Sequence, residues 1–425
     1  MLDNISRTRS DIAGSFPGSP PVSIGEELAV FVKQIDSIST SLLLALKILS
    51  TVRDKVSESM TKFLDIHGTL LQETDGFRSY SIATQHTSKS EILKKQFDHA
   101  ELSLTVLPRS FIFSLVTQFE AYLTRLIRVL YYLKPEMLDP SDTILSFTKL
   151  LELNSIDSAK EYLLEKEIEA VLRKSPTEQF TWLEHKFEVS LRKEFMSWPA
   201  FNEVIERNNH FVYHNGIISS RYIDVCKRFG IFLDKTVVVG GTLTVSPEYF
   251  DSAYRSFYEI AVKIAHLLWR QLKPNDLEAA DRNLVAITHE LIVMEKYNLS
   301  INLLDFATLT LKKHFTEESR RALIINRAQA YKWNKQGNIC SLILSKDDWA
   351  DQDERFQLAV AVLSDNFPLA ARMMEKIGSN SSQDTGYREW PLFREFRKSP
   401  EFLQTYEKIF NKPFVTIALI PKMAA

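Results

Sequence analysis

The 425-residue chain has few of the residues that break regular structure, with only 12 Gly and 15 Pro. That scarcity excludes architectures built on many tight turns and favours long helices with few connections. Two cysteines, Cys226 and Cys340, stand far apart, each just after an apolar residue, which favours buried free thiols over a disulfide or metal ligands and fits a reducing cytoplasm. Neither charge sign dominates: 52 Lys and Arg against 54 Asp and Glu leave a formal charge of −2, so any nucleic-acid contact rests on a local basic patch. The most apolar run, Leu42 to Leu49, is short and interrupted by Lys47, and no membrane contact is expected. Residues 1–21, with Gly14, Pro17, Gly18 and Pro20, lack a signal-peptide core and read as a disordered tail. No phosphate loop, dinucleotide turn, nucleophile elbow or zinc pattern occurs, so no cofactor is expected.

What remains is helical period. Residues 22–72 carry apolar side chains at helix spacing, from Leu28 through Leu49 to Leu64, and form one or two long helices of an N-terminal helical region, 22–99. A polar loop follows over Gln72–Ser90. Pro108 opens a core helix ending before Pro135; further helices are expected over Asp157–Lys174 and Glu178–Phe195. Two β-branched runs flanking Gly240-Gly241 predict a small hairpin over Lys235–Val245. Ser246-Pro247 then caps a helix running to Lys273. From Asn275 shorter helices follow one another, around Ala279–Tyr297, Ser300–His314, Glu317–Lys335, Asp353–Ser364 and Pro368–Ile377, with small residues where neighbours meet. The fold class is therefore all-α with one small hairpin: a bundle over 100–275 and a helical-repeat domain over 276–425, similar to tetratricopeptide repeats and suited to a protein partner.

Reactive side chains gather in one stretch, Glu203 to Gly216. Arg207 and His214 lie seven residues apart, about two turns, and share a helix face with Glu203 and His210. Asn215-Gly216 ends the helix, leaving His214 in its last turn at the negative end of the dipole, a setting that favours a cation. Arg binds phosphate oxygens through a planar fork and His exchanges protons near neutral pH, which together suit RNA cleavage without metal. A rival reading uses His210 and His214 with Glu203 or Glu206 as metal ligands, and a third makes the histidines structural.

Arg207 and His214 match the Arg-x(4–6)-His signature of the HEPN superfamily, and the stretch around them resembles that family. Gly216-Ile-Ile-Ser-Ser-Arg-Tyr222 resembles the Gly-Ile-Val…Tyr segment that follows the motif in bacterial members, and Phe119-Glu120 a Phe-Glu pair of an earlier helix. Where many relatives have Arg-Asn-x3-His, this chain has Asn209-His210, with Arg207 further back. The resemblance, covering roughly 100–275, implies a metal-independent endoribonuclease with Arg207 and His214 catalytic and Asn208, Asn209, His210, Glu120 and Tyr222 supporting. It also implies a homodimer, since the family brings two motif copies into one cleft, and a bacterial role in phage defence or toxin–antitoxin control; an inactive scaffold is the alternative. Substitution of Arg207 or His214 is expected to spare the fold.

Overall fold

The computed structural model describes residues 23–74, 77–138, 145–379 and 381–415; the expected tail, 1–21, lies outside them. Among the described residues the chain forms sixteen α-helices and one two-stranded antiparallel sheet. They fall into two compact units, 23–268 and 269–415.

The first unit begins with two very long helices, α1 (Ile24–His67) and α2 (Thr87–Leu133). A capping box starts α1: Ser23 Oγ accepts from Glu26 N while Glu26 accepts from Ser23 N. The helices run antiparallel as an arm, with Arg53 paired to Glu101 at 3.1 Å. Both are long and apolar enough, by length and composition, to cross a membrane. No break divides α2 at residue 100, and Pro108 lies inside it rather than at its start. A mid-helix proline costs about 3 kcal/mol, and here burial of Pro108 with its neighbours on the helix offsets it.

The hairpin is not where β-branched runs placed it. Strands β1 (Gly68–Thr74) and β2 (Phe77–Ile82) join α1 to α2 across the expected polar loop, pairing Gly68 with Ile82 and Thr74 with Phe77. Asp75-Gly76 between them is the sequence signal for such a hairpin. Lys235–Val245 forms no strand pair of its own, only a turn in which Gly241 N donates to the Val238 carbonyl. Its glycines turn back onto the chain beyond the motif helix: Gly240 N donates to the Ile218 carbonyl, Ile218 N donates to the Gly241 carbonyl, and Ile217 bridges Thr242.

Next come α3 (Phe147–Leu153), α4 (Ile156–Leu172) and α5 (Pro176–Lys186). The helix expected to reach Phe195 stops at Lys186, because the Glu184 carboxylate accepts from Leu191 N and Arg192 N and pairs with the Arg192 guanidinium, folding the chain back. The motif helix is α6 (Trp198–His214), followed by α7 (Ser220–Arg228) and α8 (Pro247–Leu272). Aromatic rings lock α6 into place. Phe119 of α2, Phe201 of α6 and Phe257 of α8 meet pairwise at 4.7–5.3 Å, and Phe31 of α1 stacks on Tyr122 at 4.8 Å. Below α6, buried Glu259 and Lys263 pair at 2.8 Å, and Glu259 accepts from Met196 N, fixing the turn that begins the helix.

The second unit contains α9 (Leu277–Val293), α10 (Tyr297–Asp305), α11 (Glu317–Trp333), α12 (Gly337–Leu344), α13 (Glu354–Leu363), α14 (Phe367–Ile377), α15 (Ser381–Glu389) and α16 (Pro400–Phe410). The helix expected to reach His314 changes to a wider π turn over Phe306–Thr310 and ends there. Small residues Ala328, Ala359, Ala361 and Ala370 are fully buried where helices approach. Asp384 near the end of this unit is held by Arg388 at 2.8 Å, Lys412 at 2.7 Å and the Tyr406 hydroxyl. Partial burial alone would raise its pKa; these donors hold it down at about 2. A depressed carboxylate stabilises the fold above its unfolded pKa and loses that contribution as pH falls towards 2. Asp384→Asn should therefore cost roughly 1 kcal/mol at pH 7, after allowing for solvent screening, and nothing near pH 2. Urea melts of the two proteins across that range check it.

Candidate functional site

Glu203 and Arg207, on the polar face of helix α6, are closed off by their neighbours. Glu203 Oε1 accepts from Arg207 Nε at 2.7 Å and from the Tyr222 hydroxyl at 2.5 Å, while Oε2 accepts from the Tyr249 hydroxyl at 2.7 Å. The other two guanidinium nitrogens of Arg207 donate to the Thr244 carbonyl at 2.7 Å and the Tyr222 hydroxyl at 2.8 Å. Its plane lies 3.9 Å from the Tyr249 ring centroid. Each nitrogen of the guanidinium thus has a protein acceptor, and the side chain is only 15% exposed. Burial alone would lower the Arg207 pKa; Tyr249, Glu203 and Tyr222 reverse that and keep it charged. The same burial, with Glu203 beside them, pushes both tyrosines up, so they remain hydroxyl donors. The group joins α6, α7 and the start of α8.

One turn on, His210 is buried and both ring nitrogens are engaged. Nδ1 lies 2.9 Å from the Glu206 carbonyl, to which it can only donate. Nε2 lies 2.7 Å from Ser219 Oγ, which also caps α7 by accepting from Tyr222 N. Glu206, likewise buried, pairs with Arg221 at 3.1 Å. His214 differs from all of these. It is exposed, its ring centroid is 5.2 Å from that of His210, and among the described residues its imidazole forms no hydrogen bond or ion pair.

The helix ends as the sequence implies, with Asn215 at φ +48° and Gly216 at φ +79°. Arg109 of α2 reaches this end: its guanidinium lies 3.4 Å from the Asn215 and Leu243 carbonyls and 5.1 Å from the Phe211 ring. A Cβ on Gly216 would meet the Phe211 ring at 3.1 Å, so both its positive φ and the close approach call for glycine.

The structure therefore brings Glu203, Arg207, His210 and Tyr222 into one region with His214 at its edge. It does not bring in the other expected residues. Asn208 faces the apolar side of α6, buried, with an Oδ1 that has no partner among the described residues. Asn209 is half-buried, and Glu120 lies on the exposed face of α2 with no hydrogen bond to this network among the described residues. Metal binding is disfavoured by the bonds themselves. Both Glu203 oxygens and both His210 nitrogens are occupied, and the described residues hold no group of three or more His, Cys, Asp or Glu placed to hold a metal ion. Cys226, buried near Tyr222, has its thiol pushed up to about 11 by burial, which keeps it in the protonated form. Tyr249, Thr244 and Arg109 escaped sequence reasoning, since they lie 37 to 106 residues from their partners Glu203, Arg207 and Asn215 in the chain with no motif spacing to flag them. No protein-family model matches the chain, and neither does any curated protein or solved structure.

Proposed function

We propose that the protein is a metal-independent endoribonuclease of the HEPN type, acting in the cytoplasm, in which His214 is the proton-transfer group and Arg207 a fixed, permanently charged neighbour. The observation that carries this reading is the contrast on one helix: Arg207 and His210 are locked, whereas His214 stands exposed and unengaged at the helix end. An exposed imidazole can take the proton of a ribose 2′-hydroxyl as that oxygen bonds to phosphorus. The P–O5′ bond then breaks, and the departing oxygen takes a proton from a second imidazole. One chain presents one such histidine, so the reaction needs the His214 of a second copy, and the working unit is a homodimer. The second unit, with its helix pairs resembling tetratricopeptide repeats, would then bind a protein partner. A role in bacterial phage defence or toxin–antitoxin control rests on the family resemblance alone.

A second reading has one observation in its favour. The Arg207 nitrogens are directed at Glu203, Tyr222 and Thr244, which suits a structural clamp inside a non-catalytic RNA- or protein-binding module. The two part in a single assay: purified protein with end-labelled RNA in excess chelator. Cleavage leaving a 2′,3′-cyclic phosphate, with matching DNA intact, is the expected result. Intact RNA, or cleavage that depends on added zinc or manganese, removes the proposal.

A further inference from the structure

The arm formed by α1 and α2 leaves one face uncovered. On α2, Leu102 is 59% exposed, Val106 46% and Phe113 52%; on α1, Ile48 is 63% and Val52 45% exposed. The pairing of Arg53 with Glu101 sets the helices in register, so that Val52 lies level with Leu102 and Ile48 with Val106. Leu42 on α1 and Leu93 and Ala100 on α2 mark the buried sides of the two helices. Counting about 100° per residue from those positions, the two exposed stripes leave their helices on the same side of the arm.

The α2 stripe is also symmetrical in charge. Lys95 lies seven residues before Leu102 and Glu120 seven residues after Phe113, each about two turns beyond the stripe and on the same face. Both are exposed, and neither has an ion-pair partner among the described residues. A second α2 laid antiparallel across this face, with a two-fold axis between Val106 and Arg109, sets Leu102 against the other copy's Phe113 and Lys95 against its Glu120, twice over. The flanking positions then face small residues: Ile48 opposes Ala45, and Val52 opposes Ser41, so the helices can approach closely. The geometry points to a homodimer contact on this face, the occupant being a second copy of the same chain. Val106 meets the other copy's Arg109 at the axis, and the apolar side chains of the two stripes present on the order of 500 Å² per copy, approaching the ~800 Å² of a stable interface once the charged and hydroxyl groups are added.

The contact deepens the ribonuclease reading, since Arg109 beside the axis touches Asn215, the residue after His214, and so draws the two α6 ends towards one interface. It is argued from the arm alone and stands whether or not RNA is cut. Sedimentation of the full-length protein at micromolar concentration should show a dimer. Phe113→Glu should raise the dimer Kd about a hundredfold or more while melting with the parent, because the changed side chain is already exposed. Lys95→Glu and Glu120→Lys should each weaken it roughly tenfold, and the double variant Lys95→Glu/Glu120→Lys should recover, since it restores both pairs with their signs exchanged. A monomeric parent, a dimer indifferent to Phe113→Glu, or single swaps without recovery in the double variant would each overturn the inference. So would flotation of the parent, but not of Phe113→Glu, with phosphatidylglycerol vesicles, which would assign the face to lipid. Dimers that leave RNA intact keep this contact and remove the nuclease, whereas a dimer that cleaves RNA but is indifferent to Phe113→Glu removes this contact and keeps the two-copy nuclease.

Discussion

Replacing Arg207 by alanine should unfold the first unit far more readily, by about 3–5 kcal/mol, the usual cost of leaving one partner of a buried ion pair behind. The substitution strips Glu203 of its charge partner while Tyr222 and Tyr249 still surround it, and it frees the Thr244 carbonyl and one face of the Tyr249 ring. This corrects the expectation that the fold would ignore the change. Guanidinium melts of Arg207→Ala and Arg207→Lys measure it. Lysine keeps the charge but has no fork to reach Glu203, Tyr222 and Thr244 together, so it should recover only part of the loss. A variant as stable as the parent would show that the network contributes nothing. Because the fold is at stake, lost activity in Arg207→Ala says nothing of catalysis unless the variant is shown to be folded at the assay temperature.

His214→Ala has no such ambiguity, and it should abolish most cleavage with no change in stability. The side chain is exposed and among the described residues bonds to nothing, so its removal leaves no cavity and no orphaned group. If it transfers the proton, turnover should fall on the order of 10²–10³-fold. His210→Ala is the control, and here the direction reverses: its ring is buried and bonded to Glu206 and Ser219, so the variant should lose stability first. Equal activity in His214→Ala and parent, both folded, would retire His214 from the chemistry.

The sequence carried much of this arrangement. Helical period located α1, the part of α2 beyond Pro108, α6, α8 and, in the second unit, α9, α11, α13 and α14, because burial of one face imposes it, and Asn215-Gly216 marked the end of α6 through its backbone requirement. Long-range partners were not legible. Nothing near Arg207 in the chain announces Tyr249 or Thr244, so its confinement is a product of packing. Period also misled: Glu178–Phe195 reads as one amphipathic helix, and only the reach of Glu184 back to Arg192 ends it at Lys186. At Lys235–Val245 strand propensity was real but found its partner at Ile217–Ile218, while Asp75-Gly76, a stronger hairpin signal, was masked by polar neighbours.

The hairpin at the far end of the arm bears on how this protein reaches its fold. Thr74 pairs with Phe77, Gly68 with Ile82, and Arg53 with Glu101, so each successive contact encloses the one before it. Once the tip has closed, every further pair joins residues already brought close, and the loop entropy left to overcome at each step is small. Assembly of α1 and α2 can thus proceed like a zip from the hairpin inwards, and the bundle core receives Phe31, Phe119 and Tyr122 already side by side.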